Sequence, residues 1–251
     1  MNKKIALITG GSRGLGKSSA IAAAQRGVGI ILTYNSYREG AEAVVETIRR
    51  SGGHAVALPL DVTQPSSFTA FAEQVRHALQ ANWQRTSFDY LVNNAGFGGY
   101  NLIENVGEEE FDRLFLVHLK GPFFLTQKLL PLIERGGQIL NITSGTSRVA
   151  FAGCAPYASF KGAMDVLTRY MAKEFGERRI RVNSVAPGAI RTDLGGGLDN
   201  QPEFIKMLTD MTALGRVGDP DDVGLLVASL LSDDSRWVNA QRIEVSGGMT
   251  I

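Results

Sequence analysis

The chain has 251 residues, of which 44% are hydrophobic and 20% charged. That is large for one domain but within reach of a single α/β unit with a sizeable core. Its 26 basic residues against 25 acidic ones leave a formal charge of +1, which gives no reason to expect a nucleic-acid or membrane-surface partner. The single cysteine, Cys154, excludes an internal disulfide and a cysteine-based metal site, and no metal is expected.

The first predicted element is an apolar strand over residues 4–9, which runs into the stretch TGGSRGLG at 9–16. Because that short apolar run ends in glycines, no secretory leader is expected. No apolar run is long enough to cross a bilayer, so the expected location is the cytoplasm. Residues 17–27 are rich in helix formers and end in glycine, a common helix stop. Further strands are predicted at 28–34, 54–60, 88–94, 137–144, 180–187 and 241–245. Helical patterns fill the intervals at 38–52, 66–80, 108–136, 157–176 and 219–232. Several strands are continuous apolar runs, as a parallel sheet covered on both faces requires. The regular alternation predicts one doubly wound α/β sheet with right-handed crossovers. Residues 191–208 are poorly patterned, and the triplet Gly195, Gly196, Gly197 predicts a mobile loop leading into a short helix.

In such a sheet, ligands bind beyond the carboxyl ends of the strands. The glycine loop stands at the first of these ends. Gly10 suits a sharp turn, while Gly14 and Gly16 let backbone approach a pyrophosphate at a helix N-terminus. The spacing is G-x-x-x-G-x-G, not the more familiar G-x-G-x-x-G. After the second strand the sequence reads TYNSYR at 33–38, with no carboxylate before Glu39. A carboxylate there would hold ribose hydroxyls and repel a 2′-phosphate. Its absence, with Arg13, Asn35, Ser36 and Arg38 nearby, favours NADP(H) over NAD(H). Asp61 is placed to cap the following helix or to accept from an adenine amino group. Asn93 and Asn94 are expected to tie strand ends together, with Ala95 and Gly96 leaving room for a flat ring.

Tyr157 and Lys161 form Tyr-x-x-x-Lys in a helical stretch and share one face. An ammonium beside a phenol favours the phenolate and should lower the tyrosine pKa, fitting Tyr157 for acid/base work on a carbonyl or alcohol. Ser144 closes the fifth strand, where its hydroxyl can bond a substrate oxygen; Ser147 is its rival.

Taken in order, TGGSRGLG at 9–16, NNAG at 93–96, Ser144, YASFK at 157–161 and PGAIRT at 187–192 carry a resemblance over the whole chain. It resembles the short-chain dehydrogenase/reductase family, and within it the 3-oxoacyl-carrier-protein reductase-like group. The resemblance implies a single Rossmann-fold domain and an NADP(H)-dependent ketoreductase acting on a small-molecule carbonyl or alcohol. Ser144, chosen over Ser147, would orient the carbonyl, Tyr157 would exchange the proton, and Lys161 would hold the nicotinamide ribose. The cofactor-lining set would comprise Gly10, Ser12, Arg13, Gly14, Leu15, Gly16, Tyr34, Asn35, Ser36, Asp61, Val62, Asn94, Ala95, Gly96, Tyr157, Lys161, Pro187, Gly188, Ile190 and Thr192. Residues 191–215 would form the substrate loop. Relatives have asparagine where this chain has His118, in VHLKG at 117–121, and Ser246 stands in place of a usual aspartate. His118 is expected to substitute in a proton relay, its imidazole passing protons near neutral pH. A homotetramer is the expected assembly. The alternatives on the same fold are an NAD-dependent alcohol or sugar dehydrogenase and a catalytically idle nucleotide-binding sensor.

Overall fold

A computed structural model describes residues 4–192 and 202–251. Among these residues seven strands form one sheet: β1 (Ile5–Ile8), β2 (Gly29–Tyr34), β3 (Ala55–Pro59), β4 (Phe88–Asn93), β5 (Ile133–Ile142), β6 (Arg181–Pro187) and β7 (Arg242–Val245). All pairings are parallel, in the order β3-β2-β1-β4-β5-β6-β7. The chain winds outward from β1 in one direction and then from β4 in the other. The crevice between the carboxyl ends of β1 and β4 is therefore the switch point where this architecture takes ligands.

The helices are α1 (Gly14–Gln25), α2 (Arg38–Arg50), α3 (Phe68–Trp83), α4 (Glu108–Phe115), α5 (Gly121–Leu129), α6 (Ala155–Glu174), α7 (Pro202–Asp210) and α8 (Pro220–Leu230). The period-two alternation of β1 sorts them. Ala6 and Ile8 enter a core built with α1, α2 and α8, whereas Ile5 and Leu7 enter one built with α3, α5 and α6. All four are fully buried, and burying a side chain of the Ile or Leu type contributes about 2 kcal/mol. Helices α1 and α8 cross closely because Gly224 lies against Ser18, whose hydroxyl donates to Asp221 at 2.6 Å. That contact fixes the helix that carries the glycine loop.

The predicted single helix over 108–136 is corrected. After α4 the chain makes one π turn over Leu116–Lys120, then α5, then a 3-10 turn over Leu130–Leu132. Pro122 has no N–H for the carbonyl four residues earlier, that of His118, so the α pattern is interrupted there. Pro131 ends the helical run, and β5 begins at Ile133, opposite Phe88. Gly136, at φ +80°, lies in the irregular stretch of β5 where the register with β4 shifts. The short helix predicted beyond the glycine triplet is α7, while Gly195, Gly196 and Gly197 lie outside the described residues.

Candidate active site

Hydrogen bonds from the next strand end hold the glycine loop. The Thr9 hydroxyl accepts from the Asn94 and Ala95 amides, each at 2.9 Å. The Asn94 side chain donates to the carbonyls of Thr9 at 2.8 Å and Gly10 at 3.1 Å. Asn93 donates to Asn141 at 2.9 Å, linking β4 to β5. The expected tying role of both asparagines is what the structure shows. Gly10 turns at φ +66°, and a Cβ there would lie 2.8 Å from Ala95 Cα. A Cβ on Gly16 would collide with the Gly10 carbonyl. Helix α1 has no acidic residue in its first turn and no side-chain cap on Arg13, its N-cap residue. Its leading amides are thus without a side-chain acceptor, as an anion site needs. Thr192 comes within 3.7 Å of where a Gly14 Cβ would stand, so the segment after β6 faces the loop. Backbone proximity and uncapped amides together fit a dinucleotide pyrophosphate.

Other members of the predicted set surround this crevice. Ser12 is half-buried and Leu15 packs against the α1 core. Tyr34 packs at the end of β2, with Asn35 and Ser36 exposed beyond it. Arg38 donates to Glu42 at 2.7 Å, a contact within its own helix. Arg13 is exposed and makes no side-chain hydrogen bond or ion pair among the described residues. The helix-capping reading of Asp61 is corrected. Its carboxylate accepts from the Thr63 amide at 2.8 Å and hydroxyl at 2.7 Å, closing a turn, and Gln64 leads the next helical turn. Val62 lies against Gly121 of α5. Pro187 is buried, Gly188 is packed on Ser246, and Ile190 bridges to Gly218. Ser246 donates to Glu244 at 2.9 Å.

At the reactive end, Ser144 leaves β5 in extended conformation and accepts from the Thr146 amide at 3.2 Å and hydroxyl at 2.9 Å. Those bonds occupy the acceptor side of Ser144 Oγ and leave its proton to donate. Ser147 instead sits 2.7 Å from Asp165 Oδ2, so geometry also favours Ser144. Lys161 Nζ donates to the Ile142 carbonyl at 2.8 Å and lies 5.5 Å from the Tyr157 ring centre. His118, on the π turn, meets Tyr157 edge-on with ring centres 5.0 Å apart. Its Nε2 pairs with the Phe97 carbonyl at 2.8 Å, while Nδ1 is buried without a partner. Next to it, a Cβ on Gly96 would lie 2.7 Å from His118 Cε1.

Two electrostatic expectations are corrected. Burial pushes the Tyr157 phenol up to about 12, and interaction with the Ser144 hydroxyl only partly opposes it. Lys161 is in turn pushed down to about 8 by burial, with Asp165 opposing the shift. His118 is 2% exposed, and burial first, then the Lys161 ammonium, move its pKa well below the ordinary histidine value. That shift disfavours the imidazolium form of His118.

The sequence reading passed over Asp165, one turn beyond Lys161 on the same face of α6. It also passed over aromatic side chains of the neighbouring loops. Phe97 packs on His118, Tyr100 lies over Gly153, and Phe151 joins Ile205, Leu208 and Met249. The i,i+4 spacing was the available signal for Asp165; the aromatics come from separate loops with no shared period.

A family model described as enoyl-(acyl carrier protein) reductase matches residues 10–250. The chain is 39% identical over 249 residues to an uncharacterized oxidoreductase of Methylorubrum extorquens, covering 98% of this chain and 97% of that one. The chain belongs to the short-chain dehydrogenase/reductase family. Within that family, it is similar in structure to the promiscuous reductase LugOII, which catalyses keto-reduction at C1 during lugdunomycin biosynthesis. The TM-score is 0.94 at 35% identity, over 99% of this chain and 98% of that one. It is equally similar to the angucycline C-6 ketoreductase LanV, solved with bound NADP, with a TM-score of 0.94 at 34% identity, over 98% and 95% of the two chains.

Proposed function

We propose that this short-chain dehydrogenase/reductase is an NADPH-dependent ketoreductase for flat, largely apolar ketones such as aromatic or polycyclic ones. The observation that carries the reading is the convergence of Tyr157 and Lys161 of α6, with Lys161 Nζ 5.5 Å from the Tyr157 ring centre, on Ser144 at the end of β5. NADPH, when bound, supplies the hydride. The chain's own residues do the rest. The amides of Gly14–Gly16 and the α1 N-terminus hold the pyrophosphate, and Arg13 with Asn35 and Ser36 holds the 2′-phosphate. Pro187, Gly188, Ile190 and Thr192 seat the nicotinamide amide. Lys161 spends one N–H on Ile142 and offers the others to the ribose. Ser144 Oγ donates to the ketone oxygen, and Tyr157 Oη transfers its proton to the same oxygen as it gains charge. The raised pKa favours the protonated phenol at rest, the form from which a proton can pass to the developing alkoxide. His118 fixes the Phe97 carbonyl and so the wall beside Tyr157.

Similarity to LugOII and LanV supports the ketone and the cofactor, and Phe97, packed on the His118 that meets Tyr157, supports a flat aromatic substrate. A substrate-closing role for the segment 191–215, of which 193–201 lie outside the described residues and Pro202–Asp210 form α7, a cytoplasmic location and a homotetramer are parts of the same proposal. Self-association is supported by Phe123, Phe124, Val166 and Tyr170, which stand exposed around a hollow on α5 and α6. The test is cofactor oxidation with a panel of aromatic ketones, aliphatic ketones and acetoacetyl thioesters, run with NADPH and NADH in parallel. Aromatic ketones should react fastest, with kcat/KM favouring NADPH by about tenfold or more, the worth of a charge-assisted hydrogen bond. A preference for NADH, or for thioesters over aromatic ketones, would overturn the corresponding part.

A further inference from the structure

A buried carboxylate that the proposed mechanism does not use lies behind Ser144 and Lys161. Asp165 is 7% exposed, on the same face of α6 as Lys161 and one turn further on. Three other elements converge on it. Ser184 of β6 donates to Oδ1 at 2.8 Å. Ser147, in the turn after β5, lies 2.7 Å from Oδ2 and 3.0 Å from the Ser144 carbonyl. Arg242 of β7 donates through Nε to Oδ2 at 3.2 Å and through a terminal nitrogen to the Ser144 carbonyl at 3.2 Å.

The chain of charge continues outward. Arg242 also meets Glu244 at 2.8 Å, and Glu244 meets Arg148 at 2.6 Å. Arg148 in turn donates to the Met249 and Thr250 carbonyls. Signs alternate from Lys161 to Asp165, Arg242, Glu244 and Arg148. A single charge as buried as Lys161 is costly unless an opposite charge is near. The groups around it are Tyr157 on its own helix, the Ile142 carbonyl of β5 and His118 of the π turn, whose pKa is lowered. Asp165 is the carboxylate that opposes the effect of burial on Lys161.

We infer that Asp165 is a positioning residue of this site, fixing the main chain at Ser144 through Ser147 and Arg242 while balancing the charge of Lys161. It rests on the ketoreductase reading for its effect on turnover, but its effect on Lys161 does not depend on the substrate. Neutralising it removes a nearby negative charge, so Lys161 loses its proton at lower pH. Neutralising Arg242 frees that negative charge, so Lys161 holds its proton to higher pH. A purely structural role has no reason to give opposite signs.

Competitive trace acetylation of the full-length protein, mapped by mass spectrometry across pH, reads the titration of Lys161 directly. Asp165→Asn should move it down by about one pH unit, and Arg242→Gln should move it up by a smaller amount. Asp165→Glu should stay near wild type. In NADPH-dependent turnover, the alkaline limb of the kcat/KM profile should follow the same order. Unshifted Lys161 titration in folded Asp165→Asn, or shifts of the same sign in both variants, would overturn the inference. Should Asp165→Asn not fold, the upward shift in Arg242→Gln decides alone, and its absence overturns it. Failure of the wild type to reduce any ketone would instead overturn the ketoreductase reading and leave the acetylation result standing.

Discussion

Burial raises the Tyr157 pKa and so favours the protonated phenol, the form that ketone reduction draws on. The same scale decides the coenzyme. Arg38 pairs with Glu42 on an exposed helix face, whereas Arg13 makes no side-chain hydrogen bond or ion pair among the described residues, so Arg13 is the proposed cation for a 2′-phosphate. Replacing Arg13 by alanine should weaken NADPH binding by about tenfold to a hundredfold, the loss of one charge-assisted hydrogen bond, and leave NADH binding unchanged. Fluorescence titration with both nucleotides measures this. Equal losses for the two would mean that Arg13 acts on the shared part of the molecule.

Among the elements, the β1 loop and α1 form the most constrained junction. Gly16 sits where any Cβ would strike the Gly10 carbonyl and the Asn94 side chain. Gly16→Ala should therefore abolish measurable NADPH binding and lower the melting temperature, because α1 must move away from the carboxyl ends of β1 and β4. Titration calorimetry beside thermal melting checks both, and unchanged affinity would contradict the close packing. This junction was legible in sequence, since glycine, strand and helix signals all fall within a few residues. The Tyr157–Lys161 face was legible through its helical spacing. What stayed hidden depends on distance in sequence. Pro131 ended a helix that apolar periodicity carried on to residue 136, and β5 was paid out early because Ile133 finds Phe88 across the sheet. The sign of the Tyr157 shift also could not be read, because desolvation depends on packing that spacing does not reveal.

For the whole molecule, β7 at the sheet edge is clamped by Arg148 and Arg242, and the apolar faces of α5 and α6 lie uncovered in one chain. Exposed aromatics in such a group are costly in water and favour burial between copies. Light scattering should give four times the 27.1 kDa chain mass. Phe124→Glu, placing a charge on that face, should shift the distribution to smaller species. A monomer at micromolar concentration for the wild type would contradict the assembly. The most direct measurement of the whole account is turnover by Tyr157→Phe on a ketone that the wild type reduces, taken together with its NADPH affinity. Loss of the phenol oxygen should lower kcat by about 10²–10⁴-fold while NADPH affinity stays close to wild type. Turnover within a few-fold of wild type would contradict the assignment of Tyr157 as the proton donor.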